Sequence, residues 1–349
     1  LGWEWWGSYP KVRLTPISFP ESREARIDSL LTQSLSDYLI PGLALGIIEN
    51  EKVTYLKAFG FANLKTKDTL TLQSHIPVAS VSKLFTALTL ANYAVEKGFL
   101  LESSINSVLP NEKKLAEDFS KISLRDLLNH TSGLSDQRGL GSLLRNQEKR
   151  KLSNLPNLLK APNLNQIETI YADANFDLIG YLLEISESKP FEQLAKERAL
   201  FPGAMENSFF SDTWPQDSLP ITGHQRSFLW KRIEPKNLRL AQLPSPSTGL
   251  VLTPLDLSKA LLHISRGSMG TYGDELDWLK NGTETPAGFQ IIQLNNSNFI
   301  GHYGDQGGYS ALLVHSQDLD LAFFLVCNAQ DKPDFRKAIA EAILNIINP

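Results

Sequence analysis

The chain has 349 residues, 42% of them apolar and 21% charged, which is the balance of a protein that buries a sizeable core rather than of a disordered or fibrous chain. Thirty-four basic residues stand against 38 acidic ones, a net charge of −4, so there is no basic field of the kind that holds nucleic acid. No apolar run reaches the roughly 18 residues of a membrane-spanning helix, and the single cysteine, Cys327, excludes an intramolecular disulfide while leaving the redox compartment open.

The chain opens Leu1-Gly2-Trp3-Glu4-Trp5-Trp6, without an initiating methionine. This suggests a removed leading segment, with the tryptophans as an interfacial belt beside a membrane anchor or as a flap on the protein's own surface. Residues 1–20 are therefore set apart as a Trp-rich extension. Over 21–39, Ile27, Leu30, Leu31, Leu35 and Tyr38 recur near a 3.6-residue period, predicting a helix stopped by Pro41-Gly42. Leu43 to Ile48 and Val53 to Phe59 flank the polar Glu49-Asn50-Glu51-Lys52, a hairpin signal. Near the far end, Phe289 to Leu294, Ser310 to Val314 and Leu321 to Cys327 read as strands, and Phe335, Ile339, Ile343 and Ile346 predict a closing amphipathic helix. From Ser82 to about residue 235 the pattern is mostly helical, broken by polar loops such as Arg145 to Lys151. The economical organisation is a sheet domain built from 21–79 and 236–349, with a mostly helical domain, 80–235, inserted between.

Three short motifs carry candidate chemistry. Ser80-Val81-Ser82-Lys83 follows a strand-like run, Ile76 to Ala79, and opens an apolar helix. A serine there feels the positive end of the helix dipole, and a lysine three residues on lies within reach of its hydroxyl. For that lysine to accept the serine proton its pKa must fall, and three units correspond to about 4 kcal/mol. The same spacing recurs in Ser186-Glu187-Ser188-Lys189, where no helix opens; Ser186 reads as a surface cap. Tyr171-Ala172-Asp173 offers a phenol able to shuttle a proton and a short polar side chain able to orient it, and it precedes what reads as a buried helix. Tyr272-Gly273-Asp274 repeats the pattern without that context. His302-Tyr303-Gly304 lies in a stretch with four glycines in eight residues between strand signals, a place where substrate can approach the backbone. Its rival, Lys280-Asn281-Gly282, reads as an exposed turn.

In this order the three motifs resemble those of the serine β-lactamase and penicillin-binding protein superfamily, in the branch of class C β-lactamases, D-alanyl-D-alanine carboxypeptidases, D-aminopeptidases and related esterases. Pro41-Gly42, Phe59-Gly60-Phe61-Ala62, Leu127-Leu128-Asn129-His130-Thr131-Ser132-Gly133-Leu134 and Thr248-Gly249-Leu250 agree, so the likeness runs from about residue 25 to the C-terminus. It implies an α+β, β-lactamase/transpeptidase-like fold: an antiparallel sheet flanked by N- and C-terminal helices, with an inserted helical region. It also implies Ser80 as acylated nucleophile, Lys83 as proton acceptor, Tyr171 as proton relay, and backbone N–H groups of Ser80 and Asp305 as the oxyanion hole, with no cofactor and no metal. Asp173, His302, Gly304 and Asp305 would support or bind substrate, an ester, a D-amino-acid peptide or amide, or a β-lactam.

Two positions depart from the common pattern. Asp173 stands where Asn is common and would hold Lys83 charged. His302 stands where Lys is common; largely neutral at pH 7, it makes a weaker anion site and argues against efficient β-lactamase action. Asp305 adds a negative charge that would favour an amine-bearing substrate. His130 reads as a structural brace, Cys327 as an inert core thiol, and no Cys or His spacing suggests a metal. The alternatives are a non-turnover module that senses peptidoglycan or a β-lactam, and acyl transfer to a nucleophile other than water. A periplasmic or membrane-anchored location is expected; the oligomeric state is unread.

Overall fold

The structure is a computed structural model that describes residues 22–136, 151–165, 169–211, 214–215, 217–227, 233–236, 238, 245–330 and 334–347. The Trp-rich extension, 1–20, and nearly all of the Arg145 to Lys151 loop lie outside the described residues. The strands are β1 (Gly42–Glu49), β2 (Lys52–Asn63), β3 (Asp68–Thr69), β4 (Ile76–Pro77), β5 (Phe209–Phe210), β6 (Gly223–Arg226), β7 (Ile233–Lys236), β8 (Leu250–Leu252), β9 (Gln290–Leu294), β10 (Ser297–Gln306), β11 (Tyr309–Ser316) and β12 (Leu321–Cys327). The principal helices are α1 (Arg23–Asp37), α2 (Ser82–Lys97), α3 (Leu124–Leu128), α4 (Asp173–Glu187), α5 (Pro254–Ser265), α6 (Gly273–Lys280) and α7 (Phe335–Ile347).

A seven-stranded sheet runs β3-β2-β1-β12-β11-β10-β9 with antiparallel pairing throughout, joining the first strands of the chain to the last. Its central strands read as unbroken apolar runs because both faces are covered. On β12, Leu321, Phe323, Leu325 and Cys327 enter the core shared with α1 and α7, whereas Ala322, Phe324 and Val326 enter the larger core shared with α2, α4 and α5. Cys327 is thus a buried thiol in an apolar layer. Gly46 sits opposite Phe324, and a Cβ there would lie 2.3 Å from the ring, so the glycine makes room for the aromatic.

The hairpin between β1 and β2 is tighter than its polar stretch suggested, because Asn50 and Glu51 both take left-handed φ angles of 48° and 56°, closing it in two residues. Helix α1 ends at Asp37, with Leu39 at φ 56°, before Pro41-Gly42 is reached. Two expectations need correction. The central stretch is not only helix and loop: β5 pairs with β8 beside β4, and β6 forms a hairpin with β7. The glycine-rich segment around His302, read as lying between strand signals, is through Gln306 part of strand β10 itself, where Gly301 and Gly304 stand at places a Cβ would strike backbone, at 1.9 Å from the Leu313 carbonyl oxygen and 2.1 Å from that of Val78. No described helix is long and apolar enough to cross a membrane.

Candidate active site

Strand β4 ends at Pro77, and the chain turns through a 3-10 turn at Ala79–Val81 before α2 begins at Ser82, so Ser80 lies in the turn ahead of the helix rather than on its first residue. Ala79 holds φ at 50°, a costly conformation for a residue with a Cβ. Its neighbours are pinned: the Val78 N–H donates to the Leu250 carbonyl (3.1 Å), the Leu250 N–H donates to Ser82 Oγ (2.9 Å), and Ser82 Oγ donates to the Ala79 carbonyl. Leu250, closing the Thr248-Gly249-Leu250 stretch, therefore serves as the clamp on the serine turn. Gly304 completes it, bringing β10 against Val78 and Ala79.

Lys83 projects from the first turn of α2 and is wholly buried. Its Nζ donates to three acceptors: Ser80 Oγ at 3.1 Å, Asp173 Oδ1 at 2.7 Å and the Ser247 carbonyl at 3.0 Å. Three acceptors match the three protons of an ammonium group. Burial alone would push the Lys83 pKa down, but the Asp173 carboxylate and Tyr171 more than offset it, and the net shift is upward. The ammonium also sits 5.0 Å from the Tyr171 ring centroid and 5.7 Å from that of Phe176.

Helix α4 starts at Asp173, which places that carboxylate at the positive end of the helix dipole. The Ala174 N–H is capped by Asp136 Oδ1 at 3.0 Å. One turn on, Asp177 is buried and accepts from the Ser247 N–H at 3.2 Å; burial pushes its pKa up to about 8, so it is mostly protonated at pH 7. A recess of about 170 Å³ opens here, lined by Leu155, Leu158, Leu159, Ala174, Ser135, Asp136 and Asp177. Gly180 lets the helix touch the Ser247 segment, since a Cβ there would lie 2.2 Å from Pro246 Cγ.

Tyr171 is exposed and held from behind by His130, their ring centroids 4.4 Å apart. His130 Nδ1 accepts from the Ala172 N–H (3.2 Å), and the His130 carbonyl accepts from the Ile170 N–H (3.2 Å). Burial lowers its pKa to about 4, keeping the ring neutral. Asn175 fastens the same corner, accepting from Ser132 Oγ and donating to the Ala172 carbonyl at 3.3 Å. The Asn129-to-Leu134 stretch thus braces the tyrosine loop.

His302, on the face of β10 toward this cluster, has its ring centroid 6.1 Å from that of Tyr171. It is 2% exposed, its Nδ1 donates to the Tyr303 carbonyl, and burial pushes its pKa down to about 3. A neutral ring protonated at Nδ1 leaves Nε2 as a hydrogen-bond acceptor, not an anion anchor. The Asp305 carboxylate does not add a bare charge: it lies on the other face of β10, with Oδ2 3.9 Å from Arg336 Nη2.

Ser80, Lys83, Tyr171, Asp173, His302 and Gly304 are thus brought together. The rival motifs are not. Ser186 is not a cap; it donates from the last turn of α4 to the Val108 carbonyl at 2.8 Å, while Lys189 pairs with Glu197. Tyr272 is fully buried and donates to the Ala199 carbonyl at 2.6 Å, and Asn281 terminates α6 at φ 43°. Among the described residues no group of three or more His, Cys, Asp or Glu side chains is placed to hold a metal. Sequence reading missed Ser247, Asp177 and Asn328. Asn328 Oδ1 accepts from the Gly42 N–H (2.8 Å), and its Nδ2 donates to the carbonyls of Phe61 (3.0 Å), Ala62 (3.1 Å) and Thr222 (3.1 Å). The available signal was a lone polar residue closing the apolar run of β12.

A seven-stranded antiparallel sheet with terminal helices on one face, and a helical region that meets the other beside the serine–lysine–tyrosine cluster, is the β-lactamase/transpeptidase-like fold. The chain belongs to the beta-lactamase family, whose model matches residues 27–347. It is similar to a beta-lactamase of Pseudomonas fluorescens, 27% identical over 216 residues that cover 60% of this chain and 57% of that protein. A D-aminopeptidase of Brucella anthropi is 25% identical over 311 residues, covering 84% of this chain and 57% of the relative. The matches thus span little more than half the length of these two relatives. Among solved structures, the D-amino acid amidase of Ochrobactrum anthropi SV3, complexed with L-phenylalanine amide, has a TM-score of 0.73 at 19% identity over 92% of this chain and 98% of that one. The octameric penicillin-binding protein homologue of Pyrococcus abyssi gives 0.72 at 20% identity, covering 93% and 77%.

Proposed function

We propose that the protein is a serine hydrolase that forms an acyl-enzyme on Ser80, with D-amino-acid amides or short D-peptides as the preferred substrate class and esters and β-lactams as secondary ones. One observation carries the reading: a wholly buried Lys83 Nζ stands 3.1 Å from Ser80 Oγ and 2.7 Å from Asp173 Oδ1, so nucleophile, base and proton store share one short path. At rest Lys83 carries the proton. A substrate that excludes water from the half-exposed Asp173 disfavours two separated charges and draws one proton from Lys83 to the carboxylate. The freed amine then takes the Ser80 proton as Oγ attacks the carbonyl carbon. Tyr171, held over Lys83, gives its phenol proton to the leaving amine and regains one from the Lys83 ammonium. Water then attacks the acyl carbon as Tyr171 or Lys83 takes one of its protons, Ser80 Oγ leaves and is reprotonated from Lys83, and the acid is released.

The neutral, buried His302 supports a preference away from carboxylate-bearing β-lactams. The names of the D-aminopeptidase and D-amino acid amidase relatives support the D-amide class. The test compares kcat/KM for D-alanine and L-alanine p-nitroanilides, with Ser80→Ala as control. A D-preference of at least about tenfold, about 1.4 kcal/mol of transition-state discrimination, abolished by Ser80→Ala, is expected; equal rates for both enantiomers, or turnover that survives Ser80→Ala, overturn it. An extracytoplasmic location belongs to the same proposal, supported by the habit of the family branch, and recovery of the native protein in the cytosolic fraction counts against it.

A further inference from the structure

We infer that Arg336, on the C-terminal helix, is a positioning residue that aims the oxyanion-hole peptide from behind the sheet; the inference rests on the hydrolase reading above. Strand β10 alternates its faces. His302 and Gly304 lie toward the Ser80 turn, and Tyr303 and Asp305 lie toward α7. Arg336 comes up from that second side, 7% exposed. Its Nη1 donates to the Gly304 carbonyl and, at 2.9 Å, to the Ala311 carbonyl. The guanidinium carbon lies 5.0 Å from the Tyr303 ring centroid, and Nη2 lies 3.9 Å from Asp305 Oδ2.

The consequence follows from peptide geometry. The Gly304 carbonyl and the Asp305 N–H belong to one planar trans unit, in which C=O and N–H point in opposite directions. Whatever fixes the first fixes the second. Gly304 pairs with Ala311 across β10 and β11, and one Arg336 nitrogen binds both carbonyls, so the Gly304 carbonyl is held toward β11. The Asp305 N–H is then directed to the opposite edge of β10, which β9 covers only as far as Gly301. That edge borders the Ser80 turn, which Gly304 touches through Val78 and Ala79.

A restraint is needed here for a specific reason. Position 304 must be glycine, because a Cβ would lie 2.1 Å from the Val78 carbonyl oxygen, and glycine is the residue least able to hold its own peptide plane. The chain then turns through Gly307 and Gly308, at φ 57° and 91°. A buried, planar guanidinium with two fixed donors supplies from outside the strand what the glycine cannot supply from within.

The test uses p-nitrophenyl acetate, an ester without a carboxylate, on the wild type, Arg336→Met and Arg336→Lys. Loss of a whole oxyanion-hole donor reduces kcat by about 100- to 1,000-fold. A donor that is present but misaimed should lower kcat about 10- to 100-fold in Arg336→Met, with KM within about threefold. Arg336→Lys, which keeps a charged donor, should recover part of the loss, and added ethylguanidinium should restore rate to Arg336→Met. Wild-type kcat in Arg336→Met overturns the inference. So does a loss confined to carboxylate-bearing substrates, which would make Arg336 an anion contact, or a change in KM alone. If Arg336→Met does not fold, Arg336→Lys decides: a kcat equal to that of the wild type, without a pH shift, overturns it. A wild type that never acylates on Ser80 removes the hydrolase reading and this inference together, whereas an acylating wild type beside an unaffected Arg336→Met removes the inference alone.

Discussion

At the scale of single residues the site is governed by where one proton rests. Lys83 is saturated by three acceptors, and Asp173 keeps it charged. Replacing Asp173 by Asn, the residue common in the superfamily at this position, removes the larger of the two groups that raise the Lys83 pKa. The acid limb of the kcat/KM profile should then move to lower pH, which a pH-rate series on an uncharged ester would record; an unmoved limb contradicts the role given to the pair. Ser80 and Lys83 were readable because the i, i+3 pair opens an apolar helix, which the same spacing at Ser186 and Lys189 does not, and Tyr171 and His302 because they sit in patterned neighbourhoods that follow in order. Asp177, Ser247 and Arg336 were not. Each is a single polar residue whose partner lies tens of positions away, and spacing along the chain says nothing of an Arg336-to-Gly304 contact.

At the scale of elements, β10 is where reading and structure part. The glycine-rich stretch was read only as lying between strand signals, yet Gly301 and Gly304 belong to the strand itself and answer to close backbone packing, while Gly307 and Gly308 turn the chain beyond it. Gly304→Ala should push β10 off the serine turn and lower kcat at least about 100-fold, comparable to removing an oxyanion donor. Acylation kinetics beside a thermal melt will separate this from unfolding, and near-wild-type acylation contradicts the close-approach argument. Asn328 ties β1, β2 and the Thr222 segment through four hydrogen bonds. Asn328→Leu leaves buried backbone groups without partners, at about 1–3 kcal/mol each, so denaturant unfolding should show a loss of about 2–5 kcal/mol; a loss under about 0.5 kcal/mol would count against the hub.

At the scale of the whole molecule, the sheet was legible because its strands are long apolar runs at the two chain ends, and antiparallel neighbours joined by short turns were the economical closure. The central stretch was less legible: β5 and β6 are short, at two and four residues, and the partner of β5, strand β8, lies far along the chain. Burial of neutral histidines links the whole fold to pH. His302, His130 and His315 have folded pKa values of about 3, 4 and 4, against an ordinary value of 6.5. At these three rings the unfolded chain binds more protons than the folded one between pH 6.5 and 3, outweighing the one proton that folded Asp177 holds in the opposite sense, so stability falls as pH drops through that window. His302 alone contributes up to about 5 kcal/mol to that fall. Denaturant midpoints from pH 7 to 4 should decline with a slope that His315→Gln makes shallower; an unchanged slope contradicts the burial of that ring.

The central claim is that Ser80 is a working nucleophile, and intact mass spectrometry reaches it most directly. The wild type and Ser80→Ala are quenched at short times after mixing with p-nitrophenyl acetate, and released nitrophenol is read in the same samples. A gain of about 42 Da, one acetyl group, in the wild type alone, mapped to the Ser80 peptide, is the expected result. An adduct or steady nitrophenol release that persists in Ser80→Ala would contradict it.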